Sequence, residues 1–182
     1  MSIYTRKGDR GKTFLFNKLK GQSNLCLKDS PAVKAIGSLD ELNSFLGIII
    51  SQTERTDIKE VIKKIQNNLM KISSILAGTK LKFSAKETKD VEELIDGLEN
   101  KLPPLKNFIL PNGSKVACLL QFSRALARRS ERMVVSLSKR KRVEKEVLRY
   151  LNRLSDFLFM LAREENFKVG IKEEVWKAAR GK

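Results

Sequence analysis

The stretch Arg124-Ala-Leu-Ala-Arg128-Arg129-Ser-Glu131-Arg132 sets guanidinium groups at i, i+4 and i+8, with a carboxylate beside them. A guanidinium is planar, permanently charged and shaped to meet phosphate oxygens in pairs. On a helix, Arg124, Arg128 and Glu131 share one side with Arg132 at its edge, and Leu119, Phe122, Leu126, Met133 and Leu137 form the expected core side. Such a row can clamp an anion, or it can be a solvated face with charges paired at helical spacing. A second candidate lies near the front of the chain. Thr5-Arg6-Lys7-Gly8-Asp9-Arg10-Gly11-Lys12-Thr13 gathers two glycines, hydroxyls, cations and one carboxylate. Glycines let backbone amides approach phosphate oxygens, the cations neutralise them, and Asp9 could hold Mg²⁺ directly or through water. The ending Gly11-Lys12-Thr13 is not a Walker loop, because Arg6 stands where its first glycine would be. Read alone, such a segment is more often a flexible basic arm.

These groups need a scaffold, and the apolar spacing supplies helices. Ser38-Leu-Asp-Glu41 reads as a capping box opening a helix through Ile50. Asp57 is expected to cap a second helix carrying Ile58, Val61, Ile62, Ile65, Leu69, Ile72 and Leu76, ended by Gly78. Ser84-Ala-Lys-Glu87 opens a third through Leu102, stopped by Pro103-Pro104. A loop through Pro111-Asn-Gly113 leads to the arginine helix, Ser114 to Ser138, and a basic connector Lys139-Arg-Lys-Arg142 precedes a fifth helix, Val143 to Phe167. Residues 1–33 are expected to be loop with short strand pieces, and the tail after Gly170 has room for one short helix. The expectation is an all-α chain of one domain: an N-terminal loop (1–33), a five-helix up-and-down bundle of ferritin-like kind (34–167) and a tail (168–182).

Composition narrows the chemistry. The 182 residues carry a net charge of +16, which favours anionic partners. There is no histidine, which excludes a Ser-His-Asp triad, a His-x-x-x-His zinc site and any imidazole base. Cys26 and Cys118 are expected to be free thiols. No apolar run reaches the roughly 18–20 residues of a membrane span, and the N-terminus lacks an apolar signal core, so a cytoplasmic location without membrane contact is expected. What remains is chemistry run by Lys, Arg, carboxylates, Asn and backbone groups, suited to stabilising charge more than to moving protons.

Taken together, Thr5–Thr13, Lys28-Asp-Ser30, Gly37-Ser-Leu-Asp-Glu-Leu-Asn43, Phe108-Ile-Leu-Pro-Asn-Gly113, Arg124–Arg132 and Tyr150-Leu-Asn-Arg-Leu-Ser-Asp156 occur in an order and spacing that resembles the PduO-type ATP:cob(I)alamin adenosyltransferases. The resemblance implies a homotrimer of five-helix bundles with active sites at the subunit interfaces. It implies transfer of the 5′-deoxyadenosyl group of ATP to the cobalt of cob(I)alamin, giving adenosylcobalamin and triphosphate. Carried over, Thr5, Arg6, Lys7, Gly8, Asp9, Gly11, Lys12 and Thr13 would wrap the triphosphate, with Lys28 adding a contact. Arg128, Glu131, Arg132 and Asn152 would meet the nucleotide, and Asp40 would pair with Arg124 across subunits. Phe108 would sit against the corrin and displace its lower axial base. Mg²⁺ would be held mainly by the ATP phosphates, and a cobalamin reductase is an implied partner. Three positions depart from the family pattern: Ala32, Asn112 and Gln121. The competing readings are a basic helical nucleic-acid-binding module, using Lys139–Arg142 and the arginine face, and a non-catalytic ATP-binding regulator.

Overall fold

The computed structural model describes residues 4, 6, 8–15 and 25–177. Two short strands, β1 (Lys12–Phe14) and β2 (Leu25–Leu27), pair antiparallel, with Thr13 opposite Cys26. Five helices follow: α1 (Pro31–Gln52), α2 (Thr56–Ala77), α3 (Ala85–Glu99), α4 (Lys115–Ser138) and α5 (Lys145–Lys168). The five-helix expectation holds.

α1 begins seven residues before the expected capping box. Ser30 is its N-cap and Pro31 its first residue, a position where a fixed φ and a missing N–H cost nothing. Ser38 is instead interior and buried, its hydroxyl donating to the Ala35 carbonyl (2.8 Å), and Glu41 pairs with Arg129. Asp57 is likewise not a cap: it lies in the first turn of α2, where Arg55 is the N-cap. Gly78 does end that helix, at φ +106°. Ser84 and Ser114 cap α3 and α4 with side-chain hydrogen bonds from Lys86 N and Ala117 N. α3 stops at Glu99, three residues short of Leu102. The tail holds no helix within 171–177; Val175 bridges Ile109 in antiparallel fashion, and residues 178–182 lie outside the described residues.

α1 packs on α2 and α4, α4 on α5, and α5 on α3. Side-chain contacts give the directions. Ser38 meets Ser130 and Glu41 meets Arg129; Glu131 meets Asn152, and Ser114 meets Asn166. These pairs run antiparallel. α3 and α5, however, are parallel: Phe83 lies against Tyr150, Glu92 against Arg153, and Pro103 beyond α3 against Arg163. Successive helices therefore alternate in direction, as an up-and-down bundle requires. Segments 28–30, 78–84 and 139–144 lie at one end, and segments 53–55, 100–114 and 169–177 at the other.

The core is Leu39, Leu42, Leu46 and Ile49 of α1, Ile58, Ile62, Ile65, Leu69 and Ile72 of α2, Leu120 and Val134 of α4, and Leu151, Leu154, Phe157 and Leu158 of α5. On α4 Leu126 and Leu137 are buried and Leu119 packs on the core as expected, but the rest of the buried face is Leu120, Ser123, Ala127, Ser130 and Val134, whereas Phe122 and Met133 are exposed. The expected core face is thus rotated by roughly 60° at ~100° per residue. Small residues win the inner seam because α1 approaches closely there, close enough for the Ser130 hydroxyl to donate to the Ser38 carbonyl (2.8 Å). Tyr150 is fully buried, its hydroxyl accepting from Asn68 (3.2 Å), and burial raises its pKa well above the ordinary phenol value. Both cysteines are free. Among the described residues no helix is long and apolar enough to cross a membrane.

Candidate active site

Arg124 and Arg128 line one cleft, of about 860 Å³, walled by α3, α4, α5 and the loop after α3. Phe108 stands at its rim, and Arg153, Asp156, Phe159 and Arg163 of α5 contribute to the wall. The α3 side adds Glu92, Asp96 and Glu99, of which Glu92 already accepts from Arg153 Nε (3.0 Å). Asp156 pairs with Arg153 on its own helix (3.6 Å).

The cation pair from α4 is placed by the rotated helix face. Arg124 is half-buried, its Nε donating to the buried Gln121 Oε1 (2.9 Å), so Gln121 aims it. Burial lowers the Arg124 pKa and the neighbouring Arg128 charge lowers it further. Arg124 and Arg128 adjoin with no carboxylate partner among the described residues, so the α4 wall of the cleft has guanidinium donors open to an anion. Arg132 is exposed one turn on. Glu131 accepts from Asn152 Nδ2 (3.0 Å), and Asn152 Oδ1 accepts from Arg153 Nη1 (2.8 Å). Thus Arg124, Arg128, Glu131, Asn152 and Phe108 are brought to one side of the bundle. Arg153 and Arg163 escaped the sequence reading. The available signal for Arg163 was a charge set directly behind the apolar run Leu158–Ala162.

The glycine loop forms a second cluster elsewhere. The Lys28 amide donates to the Gly11 carbonyl (2.9 Å), and a methyl group on Gly8 would meet Lys28 Nζ at 3.3 Å. Gly11 has φ +68° and Arg6 φ +56°, left-handed turns that fold the loop back on itself; the Arg6 guanidinium lies 5.5 Å over the Tyr4 ring. Asp9 and Lys12 are exposed and Thr13 is half-buried in β1. Thr5 and Lys7 lie outside the described residues. This cluster sits where α1 begins, beside the last turns of α4: Asp29, Pro31 and Lys34 share a small hollow with Met133, Ser136 and Arg140. Met133 and Ser136 lie roughly 140° and 80° around α4 from Arg128, Ser136 lies ~12 Å along its axis, and Arg140 follows the end of the helix. Within one chain, then, Lys28 and the loop it bonds lie toward the end of the bundle where α1 begins, while the arginine cleft opens beside Pro103 and Phe108 toward the other end. Asp40 is exposed on α1.

Phe108 is 80% exposed and so is not a core anchor. Ala32 packs against the core from α1. Among the described residues no group of three His, Cys, Asp or Glu side chains could hold a metal ion unaided.

The family model described as cobalamin adenosyltransferase matches residues 3–165. This chain belongs to the cobalamin adenosyltransferase family. It is 39% identical over 179 residues to a corrinoid adenosyltransferase of Bacillus subtilis, covering 94% of this chain and 90% of that protein. To the corrinoid adenosyltransferase PduO of Citrobacter freundii it is 40% identical over 173 residues, covering 91% of this chain and 50% of the relative. A PduO-type ATP:corrinoid adenosyltransferase from Lactobacillus reuteri, solved as a variant complexed with cobalamin and ATP, superposes with a TM-score of 0.91 at 31% identity, over 97% of this chain and all of that one. A further variant of the same enzyme, complexed with ATP, gives 0.88 at 32% identity, over 96% of this chain and all of that one.

Proposed function

We propose that this chain is an ATP:corrinoid adenosyltransferase that moves the 5′-deoxyadenosyl group of ATP to the cobalt of cob(I)alamin and releases triphosphate. The observation that carries this reading, beside the family, is the uncompensated Arg124–Arg128 pair in a cleft rimmed by an exposed phenylalanine. Cobalt(I) brings its own electron pair to the ribose C5′, the C5′–O bond breaks, and its electrons leave with triphosphate. No general base is needed, which suits a chain without histidine. Charge grows on the leaving polyphosphate, so fixed cations aimed at it lower the barrier. Arg128 is assigned to that clamp, with Arg132 beside it, and Glu131 and Asn152 to the nucleoside end. Phe108 is assigned to the lower face of the corrin, where an apolar ring excludes the axial base and favours a four-coordinate cobalt(II) that is easier to reduce.

The loop of residues 5–13 with Lys28 is assigned to the triphosphate. Because loop and cleft lie toward different ends of one chain, a nucleotide that touches both is best accommodated where two copies meet. That supports a homotrimer with its sites between subunits, Asp40 of one copy facing Arg124 of the next. Mg²⁺ fits this site as an ion carried by the phosphates, with Asp9 the loop's available carboxylate; it neutralises phosphate charge when bound. A cobalamin reductase in the same compartment, the cytoplasm, would supply the reduced cobalt.

The test mixes the protein with ATP, Mg²⁺ and chemically reduced cobalamin and follows the visible spectrum. Absence of any shift to adenosylcobalamin ends the proposal. ATP binding without product would mark a regulator, and salt-sensitive DNA binding that ATP does not displace would mark a nucleic-acid module. The shared site has its own check: Lys12→Ala and Arg128→Ala proteins, each inactive alone, should regain activity when unfolded and refolded together. No recovery in mixed oligomers would place both groups in one subunit's site.

A further inference from the structure

The ring of Phe108 has no core packing to hold it, so its place must be set through the backbone of a loop, residues 100–114, that has no helix or strand of its own. Three anchors hold that loop, and all come from the end of α5 and the tail behind it. At the start, the Arg163 guanidinium donates from Nη2 to the Pro103 carbonyl (2.8 Å). In the middle, Trp176 N donates to the Phe108 carbonyl (2.8 Å) and Leu110 N to the Glu174 carbonyl (2.8 Å), on either side of the Ile109–Val175 bridge. At the far side, Asn166 Nδ2 donates to the Asn112 carbonyl (3.0 Å) and its Oδ1 accepts from Ser114 N (2.9 Å). A bridge this short does not hold itself together in water. What ties the tail down is Glu173, whose carboxylate accepts from Arg163 Nε (2.6 Å) and Nη2 (3.2 Å), helped by Asn112 Nδ2 donating to Glu174 Oε2 (2.7 Å).

We propose that Arg163 is a positioning residue which, through Glu173 and the tail segment 173–176, fixes Phe108 at the rim of the cleft. This rests on the reading of the cleft as the corrinoid site. Arg163 is only 5% exposed, so its charge requires the Glu173 carboxylate, and the same guanidinium grips Pro103 at the head of the loop. One buried cation thereby couples both strands of the clamp. The tail segment lies beyond residue 165, where the family match ends.

Trp176 is the chain's single tryptophan, so it reports on the clamp directly. Glu173 is at the surface side of the pair, so Glu173→Ala removes the tether and leaves no cavity in the core; the stability lost by stranding the buried Arg163 charge is read separately from a melting curve. In the full-length variant, Trp176 emission is expected to shift red and the Leu110 and Trp176 amides to exchange faster. Conversion starting from cob(II)alamin plus reductant is expected to fall on the order of tenfold to a hundredfold, as small misplacements of a reacting group do. Conversion from pre-reduced cob(I)alamin and the affinity for ATP should stay within about twofold, and Glu173→Gln, which keeps one acceptor, should recover part of the loss. Equal losses by both routes, or a freed tail with both routes unchanged, would overturn the proposal. So would amide exchange at Leu110 and Trp176 that Glu173→Ala leaves as in the parent. If the parent protein itself forms no adenosylcobalamin, the functional reading falls instead, and the exchange experiment still decides whether Arg163 and Glu173 clamp the loop.

Discussion

Arg55 and Arg163, at the end of the bundle where α5 finishes, each meet carboxylates, whereas Arg124 and Arg128, facing the cleft from α4, meet none among the described residues. Arg55 bonds Asp57, Glu164 (2.8 Å) and Glu165 (3.0 Å). Burial alone would lower its pKa, but these three carboxylates outweigh that and raise it. At Arg124 burial also lowers the pKa, and there the nearest charge, Arg128, pushes in the same direction. Equal chemistry thus carries opposite meaning. A compensated guanidinium holds the fold together; an uncompensated one is held by the fold for something that arrives from outside.

The comparison breaks most visibly at Arg128. Arg128→Ala should reduce adenosylation on the order of a hundredfold to a thousandfold, the usual loss for a preorganised charge donor, with an unchanged melting curve. A cooperative loss of helix content instead would make it a structural arginine like Arg55. Arg55→Ala should do the reverse. It leaves Glu165 buried without its cation and Glu164 with Lys168 alone (3.2 Å), a loss of roughly 3–5 kcal/mol at most in denaturant unfolding, while the folded protein keeps its turnover. Gly113→Ala sharpens the boundary between the two regions. Gly113 has φ +126°, and an added methyl would lie 2.1 Å from Asn166 Oδ1, so a destabilisation of about 1–3 kcal/mol is expected, together with weakened corrinoid binding.

The smallest effect is in pH. The Asp57 carboxyl is held down to about 2, first by its hydrogen bond from Arg55, against an ordinary value of 3.8. A depressed folded pKa adds stability above the ordinary value and loses it as pH falls through the depressed one, so this contribution fades between about pH 4 and pH 2. Asp57 is largely exposed, so the effect is modest. In Asp57→Asn the acid limb of a melting-temperature profile should be shallower by a small margin; an identical profile would mean solvent already screens the pair.

Most of the bundle could be read from spacing. Ser84, Gly78, Ser114 and the α2 isoleucines each act locally, within one turn, and local chemistry was enough to place them. The start of α1 was misread because Ser38 and Glu41 fit a capping box in sequence, while the stronger signal, Ser30 before Pro31, lay in a stretch taken for loop. The α4 face was misread because spacing weighs Phe122 and Met133 as core, and only the neighbouring helix decides that Ser123, Ala127 and Ser130 occupy the seam. The arginine row itself was legible. Its lack of carboxylates was not, since Arg129 next door does find Glu41 on another helix. The tail segment against Phe108 was invisible for the same reason: its partner is some sixty residues upstream and its bonds are backbone to backbone.

The parallel setting of α3 on α5 carries a consequence for the order of assembly. α1 with α2, and α4 with α5, are joined by short connectors and can close as local hairpins, whereas α3 buries only Thr88, Val91 and Leu98 and finds its partners, such as Arg149 and Arg153, about sixty positions later. It is the helix expected to dock last and to loosen first. Because α3 supplies Glu92, Ile95 and Asp96 to the cleft, the far wall of the pocket is expected to open more readily than the wall that carries the arginines, which would give a bulky ring ligand an entrance without disturbing the charges that await its partner.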